Sequence, residues 1–160
     1  MSNQPQEPIR MSTDQLIDAA VANKEGIIAS NGADAPQVWQ LDSSTAWANL
    51  GGSPPTYWHT AVVRNFVVSG WQPTNRNKLH WSAIGNHASW TVGTDQSDEE
   101  TLFDTSEITG IVGGEFGIIL CVNKIFQLNF VGGSSIFQIR AIEQELSLIH
   151  ISEPTRQAEI

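Results

Sequence analysis

Between Glu107 and Ile142 the chain breaks into four short apolar runs: Glu107–Val112, Phe116–Val122, Ile125–Val131 and Ile136–Ile142. They are separated by Gly113-Gly114, Asn123-Lys124 and Gly132-Gly133-Ser134-Ser135. Runs this short fall below helix length. Their separators are residues that take positive φ at little cost, as tight hairpins need. The pattern predicts four consecutive antiparallel strands, a meander about the size of one β-propeller blade. Gly113, Gly114, Gly132 and Gly133 are its predicted turn residues.

The β signal begins earlier, at Trp58. Thr60–Val68 is rich in β-branched and aromatic residues. A polar turn with Pro73 and Asn75 follows, and then the alternating stretch Lys78–Ile84. Strand alternation puts Leu79, Trp81 and Ala83 on one face and His80 on the other. Residues 85–106 read as a long polar connection carrying Asp95, Asp98, Glu99, Glu100 and Asp104. Asn77-Lys78-Leu79-His80-Trp81 is echoed by Asn123-Lys124-Ile125-Phe126-Gln127, 46 positions on (123 − 77), a spacing close to a propeller-blade period.

The first third is weaker in pattern. Residues 1–11 are polar. Ser12 with Gln15 fits a capping box, and Leu16, Ile17, Ala20 and Val21 recur at helical spacing before a stop at Asn23 and Gly26. Residues 30–56 are rich in Gly, Ser, Asn and Pro, and read as irregular, with one short strand near Val38–Leu41. The expected fold is therefore mainly β: antiparallel four-stranded meanders resembling propeller blades, plus one short N-terminal helix. Residues 1–30 would be a tail with that helix. Residues 31–145 would form a partial propeller of about two blades, the second at 107–142.

The formal charge is −9, from 8 basic and 17 acidic residues. That balance argues against a face that grips phosphates tightly. Cys121 stands alone inside an apolar run, so no internal disulfide or Cys-x-x-Cys motif exists, and a small buried hydrophobe is expected there. The N-terminus shows no apolar signal-peptide core, and the longest apolar stretch is too short to cross a bilayer. No nucleophile elbow, phosphate loop or metal-ligand spacing occurs. His59, His80 and His87 lack a spacing that places them on one metal, and the acidic set at 95–104 lacks an EF-hand register. Glu107 and Glu115 are the carboxylates a glycosidase reading would nominate, and that chemistry needs a defined separation across a cleft. No catalytic, cofactor-binding or metal residue is assigned. Trp81, Trp90, Phe116, Phe126, Phe130 and Phe137 are expected to fill the space between sheets. Trp39, Trp47, Trp58 and Trp71 support the alternative of a stand-alone β-sandwich module that binds carbohydrate on exposed tryptophans.

The run Leu146-Ser147-Leu148-Ile149-His150-Ile151-Ser152-Glu153-Pro154-Thr155-Arg156 resembles the translation of a transposase adapter used in sequencing libraries. On that reading residues 146–160 are a non-native tail, native sequence ends near Glu145, and the chain is a truncated piece of a longer protein.

From His59 to Glu143 the order of short motifs resembles podovirus-type phage head-to-tail connector proteins, the packaged-DNA stabilisation, tail hub or nozzle proteins. The pieces are Val62-Val63-Arg64-Asn65-Phe66-Val67-Val68, Leu79-His80-Trp81-Ser82-Ala83-Ile84-Gly85-Asn86, and Trp90. The strongest is Ile108-Thr109-Gly110-Ile111-Val112-Gly113-Gly114-Glu115-Phe116-Gly117-Ile118-Ile119, followed by Phe130-Val131-Gly132 and Ile136-Phe137-Gln138-Ile139. The family pattern carries a charged residue after the turn of the third strand, where this chain has Lys124 alone, and the segment 12–29 has no counterpart in it. The resemblance implies a β-propeller virion protein, assembled in the host cytoplasm, with no catalysis and no cofactor. It implies a homo-oligomeric ring contacting portal, adaptor or tail subunits, with DNA conducted through a channel without specific binding and no membrane contact.

Overall fold

The computed structural model describes residues 18–22 and 26–143. These form twelve strands in three four-stranded antiparallel sheets, each in simple up-and-down order. The first sheet comprises β1 (Asp18–Ala22), β2 (Gly26–Ser30), β3 (Gln37–Gln40) and β4 (Ala48–Asn49). The second comprises β5 (His59–Val63), β6 (Phe66–Gln72), β7 (Asn75–Trp81) and β8 (Asp98–Thr101). The third comprises β9 (Ile108–Val112), β10 (Gly117–Cys121), β11 (Ile125–Phe130) and β12 (Phe137–Glu143). The three sheets do not close into a barrel.

The mainly β, meandering fold expected from the sequence is what the structure contains, and several details differ. No helix occurs among the described residues. The predicted helix is a strand over Asp18–Ala22, paired antiparallel with β2 from Asp18↔Ser30 to Ala22↔Gly26. Its beginning at Ser12 lies outside the described residues, as does the adapter-like run. The physical reason is tertiary. β2 offers an open row of backbone donors and acceptors, and pairing satisfies them where a short isolated helix would gain little. A whole sheet therefore occupies 18–49, across the boundary expected at residue 30. Thr60–Val68 is likewise two strands, because Arg64-Asn65 forms a two-residue hairpin turn with Arg64 at φ 54°. The acidic stretch is not all loop either: Asp98–Thr101 pairs with β7 as an edge strand. The echoed motifs both fall on the third strand of a sheet, but Asn77 lies within β7 whereas Asn123 precedes β11.

Two hydrophobic cores separate the sheets. The first holds Ile28 and Val38 of the first sheet, and Leu50 just after β4, against Tyr57, Val67 and Trp90. The second holds Val63, Phe66, Val68, Leu79, Trp81 and Leu102 against Ile108, Ile119, Cys121, Phe126, Leu128 and Phe137. Along β6, Phe66 and Val68 enter one core and Val67 the other. That is why this strand reads as a continuous apolar run rather than an alternating one.

The sheets pack through their leading strands, β1 against β5 and β5 against β9. Val63 and Gly114 form a parallel bridge, so β5 and the end of β9 run the same way. Near these leading strands the sheets approach closely, and glycines make room. A Cβ on Gly70 would lie 2.9 Å from Ile108 Cδ1, and one on Gly117 3.0 Å from Val63 Cγ2. Away from them the space is filled by Trp81 and Phe137, whose rings meet at 5.0 Å. Near the trailing strands β8 and β12 it opens into a groove of about 540 Å³ lined by Trp81, Glu100, Val131, Ser135, Phe137, Gln138 and Ile139. The second and third sheets thus fan outward from their leading strands, as propeller blades do.

Candidate functional site

Several of the features that sequence analysis singled out gather along the seam between the second and third sheets, whereas Trp39, Trp47, His80 and Trp90 lie with the first sheet and its core. The hairpin after β9 lies against β5. Arg64 N donates to Gly114 O at 2.7 Å, and Gly114 N donates to Val62 O at 3.0 Å. A Cβ on Gly113 would sit 2.1 Å from Val62 O, so no side chain fits there. Gly113 is thus more than a turn residue: its lack of a side chain permits the backbones to touch. Gly114 supplies the positive φ, at 143°. Arg64 completes this end of the seam, with its guanidinium 5.1 Å from the centre of the Phe130 ring and 3.4 Å from Glu115 Oε1. Of the other predicted turn residues, Gly132 takes a φ of 73° against Phe130, and a Cβ on Gly133 would meet nothing within 4 Å.

The opposite end of the seam is held by Trp71, which sits in the left-handed region at φ 69° beside a register shift between β6 and β7. For a bulky residue this costs on the order of 1–2 kcal/mol, and persists only where surrounding contacts enforce it. Those contacts are present. Trp71 Nε1 donates to Glu107 Oε1 at 3.2 Å, Arg76 lies 5.3 Å over the Trp71 ring, and Arg76 Nη1 is 3.6 Å from Glu107 Oε1. Trp58 meets Trp71 edge-on at 5.2 Å, and Trp58 N donates to Trp71 O. The set ties β6 and β7 to the residue that opens β9.

The predicted packing residues divide. Trp81, Phe126 and Phe137 lie in the second core, with Phe130 at its margin. Trp90 lies in the first core, on the β7–β8 connection, where its Nε1 donates to His87 O. Phe116 is a correction: it is 46 % exposed. It belongs to the loop between β9 and β10, and the alternation that turns residues inward begins only at Gly117.

The four candidate platform tryptophans fall into two pairs. Trp39 meets Trp47 at 5.8 Å and 59°, and Trp58 meets Trp71 at 5.2 Å and 85°. Both pairs are steeply inclined, so neither makes a flat shared plane. Glu107 precedes β9 and Glu115 follows it beyond Gly113-Gly114, so the whole five-residue strand lies between them. That is roughly 16 Å of strand, whereas hydrolytic carboxylate pairs stand about 5–10 Å apart. Among the described residues no three His, Cys, Asp or Glu side chains converge as metal ligands would, and no helix is long and apolar enough to cross a membrane.

His80 faces the first core, as strand alternation predicts. Its ring packs edge-on against Trp90 at 5.5 Å, and its Nε2 is 3.0 Å from Trp90 O. Burial lowers its pKa below 6.5, against the opposing pull of the Trp90 carbonyl and of Glu99, whose Oε1 is 3.6 Å from Nδ1. Glu99 is also bonded to Lys78 at 2.9 Å. Cys121 is buried, and burial raises its thiol pKa, with a hydrogen bond to Thr105 acting the other way. A desolvated thiol of this kind is a poor nucleophile.

Sequence reasoning missed Gly70, Gly117, Arg64 and Arg76 as seam residues. The available signal was local: a glycine set among β-branched residues marks a close backbone approach as readily as a turn. The arrangement as a whole is a mechanical joint, with small residues where sheets touch and ring and ion contacts locking either end. Comparison with protein-family models finds no match to the chain, and comparison with curated proteins finds none either.

Proposed function

We propose that this protein is a non-catalytic structural component of a phage virion, part of the head-to-tail connector or tail tube that closes the portal and retains or conducts packaged DNA. One observation carries the reading. The stretch on which the connector resemblance is strongest, Ile108–Ile119, supplies half of the seam between two outward-fanning sheets, including the contact of Gly114 with Val62 and Arg64. A rigid, repeated sheet-on-sheet joint suits a part that bears load in a ring. Without the adapter-like residues 146–160 the chain carries 8 − 1 = 7 basic and 17 − 2 = 15 acidic residues, and a charge of −8 suits a wall that DNA passes without being held, because phosphates are gripped by clustered Lys and Arg. The partners on this reading are portal, adaptor or tail subunits, and the compartment is the virion.

The test is the genetic and physical company the protein keeps. Long-read sequencing through the locus is expected to show portal, terminase and tail genes beside it. Mass spectrometry of purified particles is expected to detect peptides from residues 59–143. A polysaccharide-degradation cluster around the gene, with no peptide in particles, overturns the proposal.

A further inference from the structure

The second and third sheets end in β8 and β12, each with one free edge, and the groove of about 540 Å³ opens between those edges. Its two walls differ. β8 pairs with β7 as Trp81↔Asp98 and Leu79↔Glu100, and the Trp81 and Leu79 side chains enter the second core. Asp98, half-buried, and Glu100, exposed, therefore turn toward the third sheet, while Glu99 between them turns back to Lys78. The facing wall is apolar, with Phe137 and Ile139 from β12 and Val131 beside them. Among the described residues no basic side chain lines the groove. Arg140, the basic residue of β12, lies on the opposite face, where its Nη2 donates to Gln127 Oε1.

β12 also holds out its backbone. Val131 N donates to Ile136 O, which fixes the phase of the β11–β12 ladder. The peptide groups of Gln138 and Arg140 then face β11, and those of Phe137, Ile139 and Ala141 face the free edge. A row of unpaired donors and acceptors thus runs beside an acidic wall. Edges of this kind take up an extended segment as an added strand.

We propose that the groove receives an extended, basic segment of a partner protein, which adds a fifth strand beside β12 and sets two lysines or arginines against Asp98 and Glu100. The two carboxylates stand two positions apart on β8, so cations at alternate positions of the segment match them. A second copy of this chain does not supply that pattern. It has 17 acidic against 8 basic residues, and its only two basic residues within a strand's length of each other, Arg76 and Lys78, already lie in β7. The inference stands on the groove and the strand edge alone, so a genomic context unlike a phage's leaves it intact.

The test titrates the full chain, by calorimetry, with a blocked peptide of about nine residues alternating lysine and threonine, long enough to span β12. Binding is expected, with hydrogen exchange slowed at the amides of Phe137, Ile139 and Ala141. Asp98→Asn combined with Glu100→Gln is expected to weaken binding about tenfold, with far-ultraviolet circular dichroism unchanged. Two further peptides separate docking from diffuse attraction to an acidic protein. One has its lysine backbone nitrogens methylated and the other its threonine nitrogens, so both keep every charge. The one whose methyl groups face β12 is expected to lose binding. No binding at about 1 mM peptide overturns the proposal. So does equal affinity for the double variant, binding that survives both methylations, or slowed exchange confined to other strands.

Discussion

A single missing methyl group decides how the second and third sheets meet. Gly113→Ala would place a carbon 2.1 Å from Val62 O, and the obstacle is backbone rather than a pliable side chain. The hairpin must then move off β5, breaking the bonds through Gly114. We expect a loss of about 2–4 kcal/mol in urea unfolding, near the top of the usual range for overpacking. Gly133→Ala, with open space around it, is expected to change stability by less than about 0.5 kcal/mol. His80 gives the molecule a pH dependence of definite sign. Burial holds its folded pKa below the 6.5 of the free side chain, so the unfolded chain takes up the proton more readily. The stability linked to His80 is thus complete above about pH 6.5. It is lost progressively as pH falls from there through the folded value. Melting temperature measured from about pH 8 to 5 should drop on the acid side, and His80→Gln should flatten that drop. From sequence, Gly113 was legible as special but not as a contact, because Val62 lies far away along the chain. Phe116 was misread for the complementary reason. Its apolar character was visible, but only the start of strand alternation at Gly117 decides that it faces water.

Strands with apolar alternation and clear turns were legible, and those without were not. The four strands of the third sheet follow the four runs read from sequence, because glycine and asparagine punctuate them. β8 was hidden because its residues, Asp98 to Thr101, are acidic. It pairs with β7 from Trp81↔Asp98 to Lys78↔Thr101, and its carboxylates serve its position. An edge strand carries unpaired backbone groups, and charge along it discourages pairing with another chain. Glu100, at the rim of the groove, is available for a test. Glu100→Val is expected to leave the unfolding midpoint within about 0.5 kcal/mol of wild type while speeding aggregation followed by light scattering at 37 °C. Equal aggregation rates would remove that role from the acidic edge. β1 was hidden differently. Its local pattern suits a helix, and only the neighbouring β2 makes the extended form preferable.

At the scale of the whole molecule, the sequence showed that the protein is built from meanders, but not how many. A sheet occupies 18–49, where the sequence suggested a short helix and then irregular chain with one short strand near Val38–Leu41. The periodicity that would count repeats is blurred by connections of unequal length, such as the long one between β7 and β8. Net charge was legible without any structure, and it carries its own prediction. Labelled duplex DNA at physiological salt should bind with a Kd weaker than about 100 μM, below the usual range for non-specific binding proteins. A low-micromolar Kd that weakens steeply with added salt would contradict a wall past which DNA slides.

The size gradient across the joint between the second and third sheets has an arithmetical consequence. Gly70 and Gly117 thin one margin of the layer between these sheets, while Trp81 and Phe137 thicken the other, and the difference sets the angle through which the third sheet is turned from the second. Adding bulk at Gly70 or Gly117 would shrink that angle, so more sheets would be needed to complete one revolution. Trimming Trp81 would shrink it from the other margin. In such a protein the count of slats around a circle is written in side-chain volume, and a handful of substitutions could rewrite it.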